Sequence, residues 1–179
     1  CSGTYKKGEL VISKFGLEGN AIYALSPQIR HGLNSENMSV IYMDLKPMMK
    51  SEKILQILEN SRQKNISESL KKDLKLSSAQ VGLIKAFLEK EDFIDLFRLS
   101  KGIKNLKIKI SGMAQIDEAI STVGGIEISE LNEEYELNLI SKQYCIGEMI
   151  DWDAPTGGYL LQASFSMGAY LAKILNNKA

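Results

Sequence analysis

The chain has few of the residues on which metal sites, disulfide frameworks and nucleophilic catalysis depend. Its 179 residues include two cysteines, Cys1 and Cys145, and one histidine, His31. The cysteines form neither a CxxC pair nor a disulfide framework, and Cys145, inside an apolar segment, is expected to be a small buried residue. A lone histidine beside Arg30 and Gly32 is typical of a surface or loop residue. No Ser/His/Asp set and no metal site with His, Cys and carboxylate ligands is indicated.

The chain also has no excess of either charge. Its 22 basic residues balance 22 acidic ones, so no overall field attracts nucleic acid or anionic lipid. The nearest approach to a basic patch is Lys104, Lys107 and Lys109, whose alternation with apolar residues predicts the solvent-facing side of a strand. No apolar run approaches the length of a membrane span, and no signal-peptide pattern opens the chain. With so few cysteines, these features favour a cytoplasmic protein.

Two common phosphate-binding motifs, the P-loop and GxGxxG, are missing from the sequence. What the chain does contain is 44% apolar residues, enough for a packed core. The composition changes near residues 101–113, from a mixed strand and helix region to a glycine-punctuated α/β region. This change is the best candidate for a domain boundary. Because residue 1 is not methionine, we expect the chain to be a piece of something longer.

Before this boundary, the hydrophobic patterns predict strands and several helices. The residue pair Ser77 and Gln80 has the spacing of a capping box at a helix start. Ser51 is expected to cap another helix. The predicted elements are strands at 8–13 and 40–43, a short helix at 21–25, a helix from Ser51, and a helical pattern over 65–101.

After the boundary, four short strands and one long helix are predicted. The final helix is apolar around most of its circumference, so we expect it to be buried on several faces, with Gly168 packed closely against a neighbour. The predicted strands are 106–110, 118–125, 135–139 and 144–147.

The strongest candidate for a ligand site lies between the last strand and the last helix. Gly147-Glu148 follows an apolar segment, where a carboxylate at a sheet edge can accept hydrogen bonds from sugar or polyol hydroxyls. Asp151 could do the same or orient the loop. The pair Gly157-Gly158 lets the backbone approach a ligand closely, and the helix that follows favours electron-rich groups at its N-terminus. Thr156 with these glycines could equally be only a turn and a helix cap. A second pair, Gly124-Gly125, is a weaker signal of the same kind.

Three segments, taken in order, resemble one family. They are GELVISKFGLEGNAIYALS, DEAISTVGGIEISEL and YCIGEMIDWDAPTGGYLLQASFSMG. They are similar to the carboxyl-terminal half of the BaiN-like, aminoacetone-oxidase-type FAD-dependent oxidoreductases. The last segment is the most specific, because GE-x-x-D followed at this spacing by TGGY-x-LQ is distinctive.

The resemblance implies an α/β fold with two parts. Residues 1–112 would form an α+β insert with a β-barrel-like part and a helical part. Residues 113–179 would be the carboxyl-terminal segment of a split Rossmann-like FAD-binding domain. Glu148 would then lie beside the ribityl chain, with Gly157, Gly158 and the start of the last helix at the pyrimidine edge of the flavin. The implied cofactor-binding residues are Gly124, Gly125, Gly147, Glu148, Asp151, Thr156, Gly157, Gly158, Tyr159 and Leu160.

The implied function is that of a fragment of a flavoprotein oxidoreductase that uses FAD with NAD(P)H or a small organic substrate. No catalytic residue can be named, and Tyr159 near the ring is more simply explained by aromatic packing. The alternative is a non-catalytic ligand-binding or interaction module derived from such a flavoprotein. The coding frame upstream of Cys1 would discriminate between the two, because a strand followed by GxGxxG indicates the enzyme.

The chain departs from the family pattern in three places. Residues 13–21 read SKFGLEGNA where the family commonly has FTHxGxSGPA, and Leu160 replaces an asparagine. The GxGxxG segment that holds the FAD diphosphate is missing. We therefore expect this chain alone to bind FAD weakly or not at all, to need the missing amino-terminal FAD-domain segment as a partner, and to expose apolar surface that permits self-association.

Overall fold

Two small antiparallel sheets and a set of helices make up the fold. The computed structural model describes residues 3–119 and 121–178. Strand β1 (Val11–Ile12) pairs with β2 (Leu17–Glu18), and β3 (Ser39–Met43) pairs with β4 (Leu106–Ile110), with Ile41 opposite Ile108. This mixture of helices and small sheets is consistent with the predicted α/β class.

The helices are distributed unevenly along the chain. Among the described residues, seven helices lie between β2 and β4, and one long helix follows near the end of the chain. The helices are α1 (Asn20–Tyr23), α2 (Ser26–Glu36), α3 (Ser51–Glu59), α4 (Ile66–Lys72), α5 (Ser78–Phe87), α6 (Lys90–Ile94), α7 (Leu96–Lys104) and α8 (Tyr159–Lys178). Three single 3₁₀ turns lie at Ile116–Glu118, Ile128–Glu130 and Gly147–Met149.

The main hydrophobic core lies in the helical region between β3 and β4. Helices α3 to α7 lie between β3 and β4 in sequence. Because these two strands pair, the two ends of the helical region are held next to each other. On β4, Leu106 and Ile108 are buried while Lys107 and Lys109 are exposed, as the alternating pattern predicted. The buried cluster consists of Leu45, Ile54, Leu58, Leu70, Leu74, Leu76, Val81, Ile84, Leu99, Ile103, Leu106 and Ile108.

Lys104 does not lie on the strand, contrary to the prediction. It ends α7, and its ammonium group lies 2.5 Å from a carboxylate oxygen of Asp44 and donates to the Lys46 carbonyl at 2.8 Å. The prediction was wrong because α7 ends at Lys104 and β4 begins two residues later, so the alternating pattern continues across the boundary between the two elements. The contact joins the end of α7 to the loop after β3.

The capping box at the start of α5 is confirmed. The Ser77 hydroxyl accepts from the Gln80 N–H at 3.2 Å, and the Gln80 side chain accepts from the Ser77 N–H at 2.8 Å. Two N–H groups that the helix itself cannot satisfy are thereby paired.

We expect Ser77→Ala to lower the free energy of unfolding by about 1 kcal/mol, because it removes the acceptor for the Gln80 N–H. Ser78→Ala is the matched control, since the exposed Ser78 is the first residue of the helix rather than its cap. Urea unfolding followed by circular dichroism measures both. Equal effects of the two substitutions would show that the cap contributes nothing.

Two helix starts differ from the sequence prediction. Ser51 does not cap α3: Lys50 holds the N-cap position, and the Ser51 hydroxyl donates to the Glu52 carboxylate at 3.0 Å. Helix α2 was not predicted at all, although Pro27 in its first turn is a favourable start signal. The short helix predicted at 21–25 is present as α1, one residue earlier at its start.

The strands predicted at 118–125, 135–139 and 144–147 are wrong for the described residues, and Ile120 lies outside them. These segments form only isolated bridges, Leu131 with Leu137, Glu136 with Tyr144, and Ile126 with Ile150. A strand needs a partner along its edge, and each of these segments forms a bridge with any one partner at one position only. The Asn132 side chain also accepts the N–H groups of Glu134 and Glu136, which competes with a ladder.

Helix α8 forms as predicted, but its burial was predicted wrongly. Only Leu171 is buried among its described residues, while Leu161 and Phe165 are 60% and 67% exposed. An added Cβ at Gly168 would meet no atom within 4 Å, so this glycine is not a close-packing position. The helix packs chiefly against the Gly147–Met149 turn, which leaves its other faces open. No helix in residues 3–119 and 121–178 is long and apolar enough to span a membrane.

Cys145 is buried, as predicted, and His31 is exposed on α2 rather than in a loop. Cys1 lies outside the described residues.

Candidate functional site

Two segments far apart in sequence run side by side after β4. The Ile126 N–H donates to the Met149 carbonyl at 2.9 Å, and the Asp151 N–H donates to the Ile126 carbonyl at 2.8 Å. Ile126 and Ile150 form a parallel bridge between them. The structure therefore brings the predicted residues Gly124 and Gly125 beside the predicted Gly147–Asp151 segment. We call residues 122–126 the glycine segment and residues 147–151 the acidic segment.

The two carboxylates of the acidic segment bind the main chain of the glycine segment. Glu148 Oε1 accepts the Thr122 N–H at 3.0 Å, and Asp151 Oδ1 accepts the Gly124 N–H at 3.1 Å. Both side chains are exposed, and among the described residues the second oxygen of each carboxylate accepts no hydrogen bond. Sequence reasoning proposed these residues as ligand contacts or loop orienters, and it did not anticipate which main-chain groups they would bind.

Gly125 occupies a position that no other residue fits. Its φ angle is 150°, and an added Cβ would lie 2.5 Å from the Met149 carbonyl oxygen. Gly124 also has a positive φ, 92°, but its surroundings are open. The close approach at Gly125 is what lets the two segments pair.

The start of α8 carries the other predicted residues. Gly157 and Gly158 have φ angles of 107° and 85°, and the Gly158 carbonyl accepts the first helical hydrogen bond, from Gln162 at 3.0 Å. Thr156 and Tyr159 are exposed, and Leu160 is half-buried. Because the first N–H groups of a helix lack helical acceptors, those of residues 159–161 are available at this end.

A sulfur contact ties α8 to the acidic segment. Met167 Sδ lies 3.4 Å from the Gly147 main-chain nitrogen, which donates to it. An added Cβ at Gly147 would lie 3.4 Å from the Ser164 hydroxyl, so the turn sits directly on the helix. The glycine segment thus contacts the acidic segment, and the acidic segment contacts α8. We call this arrangement the glycine wall.

An open apolar groove of about 500 Å³ lies beside the glycine wall. Sequence reasoning missed it, although Trp152, the only tryptophan of the chain, was a signal directly after Asp151. Tyr135 also lines the groove; it has a φ of 63° and its ring packs edge-on against Tyr170 at 5.8 Å. The lining includes Ile128, Leu131, Tyr135, Ile150, Trp152 and Met167.

Ion pairs also join residues at and near the glycine wall. Arg30 of α2 pairs with Asp153, and Lys178 at the end of α8 pairs with Glu134. The hydrogen bond from Lys178 to Glu134 raises the pKa of the Lys178 ammonium group above its usual value. Within the described part of the chain, no group of His, Cys, Asp and Glu side chains could hold a metal ion.

The family of the chain follows from its first two thirds. Residues 1–121 match the family model described as the HI0933-like protein barrel and H2TH domain. The chain belongs to this family. The matched residues include both strand pairs and helices α1 to α7. The HI0933-like family is part of the HI0933/BaiN-type flavoprotein group, so the predicted resemblance is confirmed at the level of this group.

The whole of the glycine wall lies after the matched residues. Its glycine segment begins at residue 122, directly after the match ends at 121. In this HI0933-like chain the flavoprotein relationship and the glycine wall are therefore two separate observations.

Proposed function

We propose that this HI0933-like chain supplies one wall of the FAD site of a flavoprotein oxidoreductase of the BaiN-like, aminoacetone-oxidase type. Residues 1–112 would be the insert, and residues 113–179 the carboxyl-terminal segment of a split Rossmann-like FAD-binding domain. Membership of a flavoprotein group supports the cofactor class. The geometry of the glycine wall supports its location.

The observation that carries this proposal is the pattern of N–H groups along the glycine segment. Every second N–H, from Thr122, Gly124 and Ile126, donates to the acidic segment. The N–H groups between them, from Val123 and Gly125, have no acceptor among residues 3–119 and 121–178. These two main-chain donors, one within the glycine pair and one directly before it, suit the carbonyl edge of a planar ring.

The N-terminus of α8 adds an electrostatic contribution. A helix of this length carries about half a positive charge at its start, on N–H groups that Gly157 and Gly158 leave uncovered. This charge would stabilise the negative charge that a flavin ring gains on reduction. The free oxygen of Glu148 would accept a hydrogen bond from a ribityl hydroxyl.

FAD, when bound, would supply the hydride chemistry, with NAD(P)H or a small organic molecule as the second reactant. The residues of this chain would bind and orient the ring, with main-chain N–H donors facing its pyrimidine edge. No residue of the glycine wall is assigned a proton-transfer role. Tyr159 is 59% exposed and remains an aromatic neighbour only.

The residues present fit the ring and ribityl parts of FAD but not its diphosphate. The glycine segment, the acidic segment and the first turn of α8 contain no lysine or arginine, and the sequence has no GxGxxG motif. The diphosphate would therefore be held by an amino-terminal FAD-domain segment outside this sequence. Leu161 and Phe165 on the exposed face of α8 are the surface that such a segment would cover, with about 1.5–3 kcal/mol gained for each side chain fully buried.

The same exposed face favours a second candidate function, a non-catalytic interaction module derived from a flavoprotein. An exposed apolar stripe of this kind marks interaction surfaces in other proteins. In this case Leu161 and Phe165 would contact a partner protein or a second copy, and the glycine wall would bind no flavin.

Titration of the 15N-labelled chain with FAD tests the proposed function. With only one wall present, we expect a dissociation constant of about 0.1–1 mM and amide shifts centred on Val123, Gly125 and residues 157–161. Riboflavin should shift the same amides, because it keeps the ring and the ribityl chain. ADP, which lacks both, is the matched control and should leave them unmoved. Shifts from ADP alone, or no shift from FAD at several times this concentration, would favour the interaction module.

A further inference from the structure

Asp151 contacts the glycine segment twice, on both sides of Gly125. Its carboxylate accepts the Gly124 N–H at 3.1 Å, and its own N–H donates to the Ile126 carbonyl at 2.8 Å. Glu148 makes only one contact with the same segment, at Thr122. Asp151 is therefore the residue whose hydrogen bonds flank Gly125 and include the glycine pair itself.

The glycine pair needs these hydrogen bonds to keep one conformation. Two adjacent glycines can adopt more backbone conformations than any other pair, and both residues here have positive φ angles that are one choice among many. No side chain of the pair can pack, and the segment is exposed. The Asp151 carboxylate is the only acceptor of the Gly124 N–H among the described residues, and a hydrogen bond to a charged group is stronger than one between neutral groups.

We propose that Asp151 is a positioning residue: it holds the Gly124 N–H inward so that the N–H groups of Val123 and Gly125 face outward to the ligand. The inward part of this proposal concerns the chain alone, and the ligand part rests on the proposed function. Asp151 acts through the main chain of the glycine segment. The direct contacts with the ring come from the glycine segment, and Asp151 itself makes none.

Hydrogen exchange on the ligand-free chain tests the inward part. In Asp151→Ala the Gly124 amide should exchange about 10-fold to 100-fold faster, the factor expected for the loss of a hydrogen bond to a charged group. Asp151→Asn keeps an acceptor oxygen and should restore most of the protection. Asp153→Ala is the matched control, because this nearby carboxylate pairs with Arg30 instead. Exchange of the Leu99 amide in α7 reports whether each variant is folded.

The FAD titration of the same variants tests the ligand part. Asp151→Ala should weaken the FAD-dependent shifts of Val123 and Gly125 by about tenfold in affinity, with recovery in Asp151→Asn and no change in Asp153→Ala. Unchanged Gly124 exchange in Asp151→Ala would contradict the claim that the Asp151 carboxylate holds the Gly124 N–H inward. Faster Gly124 exchange with unchanged FAD affinity would overturn the positioning role while the proposed function stands. Failure of the unaltered chain to respond to FAD would instead reject the proposed function, and with it the ligand part.

Discussion

Gly125→Ala is expected to separate the glycine segment from the acidic segment. The new Cβ would lie 2.5 Å from the Met149 carbonyl oxygen, and the φ angle of 150° strains any residue with a side chain. Overpacking against backbone and backbone strain together should cost about 2–5 kcal/mol. This cost is of the same order as the net contribution of the four hydrogen bonds between the two segments, so their pairing should be lost locally for much of the time while the helices remain folded. Hydrogen exchange of the Ile126 and Asp151 amides measures the effect, and both should lose their protection.

Gly124→Ala is the matched control for this clash. Gly124 also has a positive φ, 92°, but no atom lies within 4 Å of its added Cβ. Only the conformational cost of about 1–2 kcal/mol applies. Exchange at Ile126 should therefore rise much less than in Gly125→Ala. If the two alanine variants raise it equally, the close approach to Met149 does not determine the pairing of the two segments.

Leu99→Ala should have the other large effect, on global stability. Leu99 is 0% exposed in the cluster between β3 and β4, so its removal leaves a cavity that the surrounding helices cannot fully close. The expected loss in the free energy of unfolding is about 2–5 kcal/mol. Urea unfolding monitored by circular dichroism measures it.

Ile94→Ala is the control for the same loss of methyl groups. Ile94 is 60% exposed at the end of α6, and its truncation should change stability by about 0.5 kcal/mol or less. Because the buried cluster contains only residues between 45 and 108, neither variant should change exchange at Ile126 under native conditions. Equal destabilisation by the two variants would contradict the assignment of the core.

The helical region was predictable because its signals are local. The Ser77 and Gln80 capping box and the alternation along β4 depend on residues a few positions apart, and both appear in the structure as expected. The start of α3 shows the limit of such signals. Ser51 was a plausible cap, yet Lys50 occupies that position, because cap type depends on the entering backbone and not only on the side chain.

The region after β4 was less predictable because its order depends on distant partners. Apolar segments such as 144–147 read as strands, but strand formation requires a neighbour along the whole edge. The exposed face of α8 is a related case: periodicity indicated a helix, and only its packing partners decide which faces are buried. All four residues of the two glycine pairs have positive φ angles. The hydrogen bonds from Thr122 to Glu148 and from Gly124 to Asp151 span 26 and 27 residues, and no local pattern encodes them.

Amide-resolved titration with riboflavin against ADP is the measurement that tests the glycine wall most directly. Riboflavin contains only the parts of FAD that this chain is proposed to contact. Saturable shifts are expected at Val123, Gly125, Gly157 and Gly158 with riboflavin and none with ADP, and Gly125→Ala should abolish them. Riboflavin shifts that fall on helices α3 to α7, or that survive unchanged in Gly125→Ala, would contradict the assignment of the glycine wall as the flavin-binding surface.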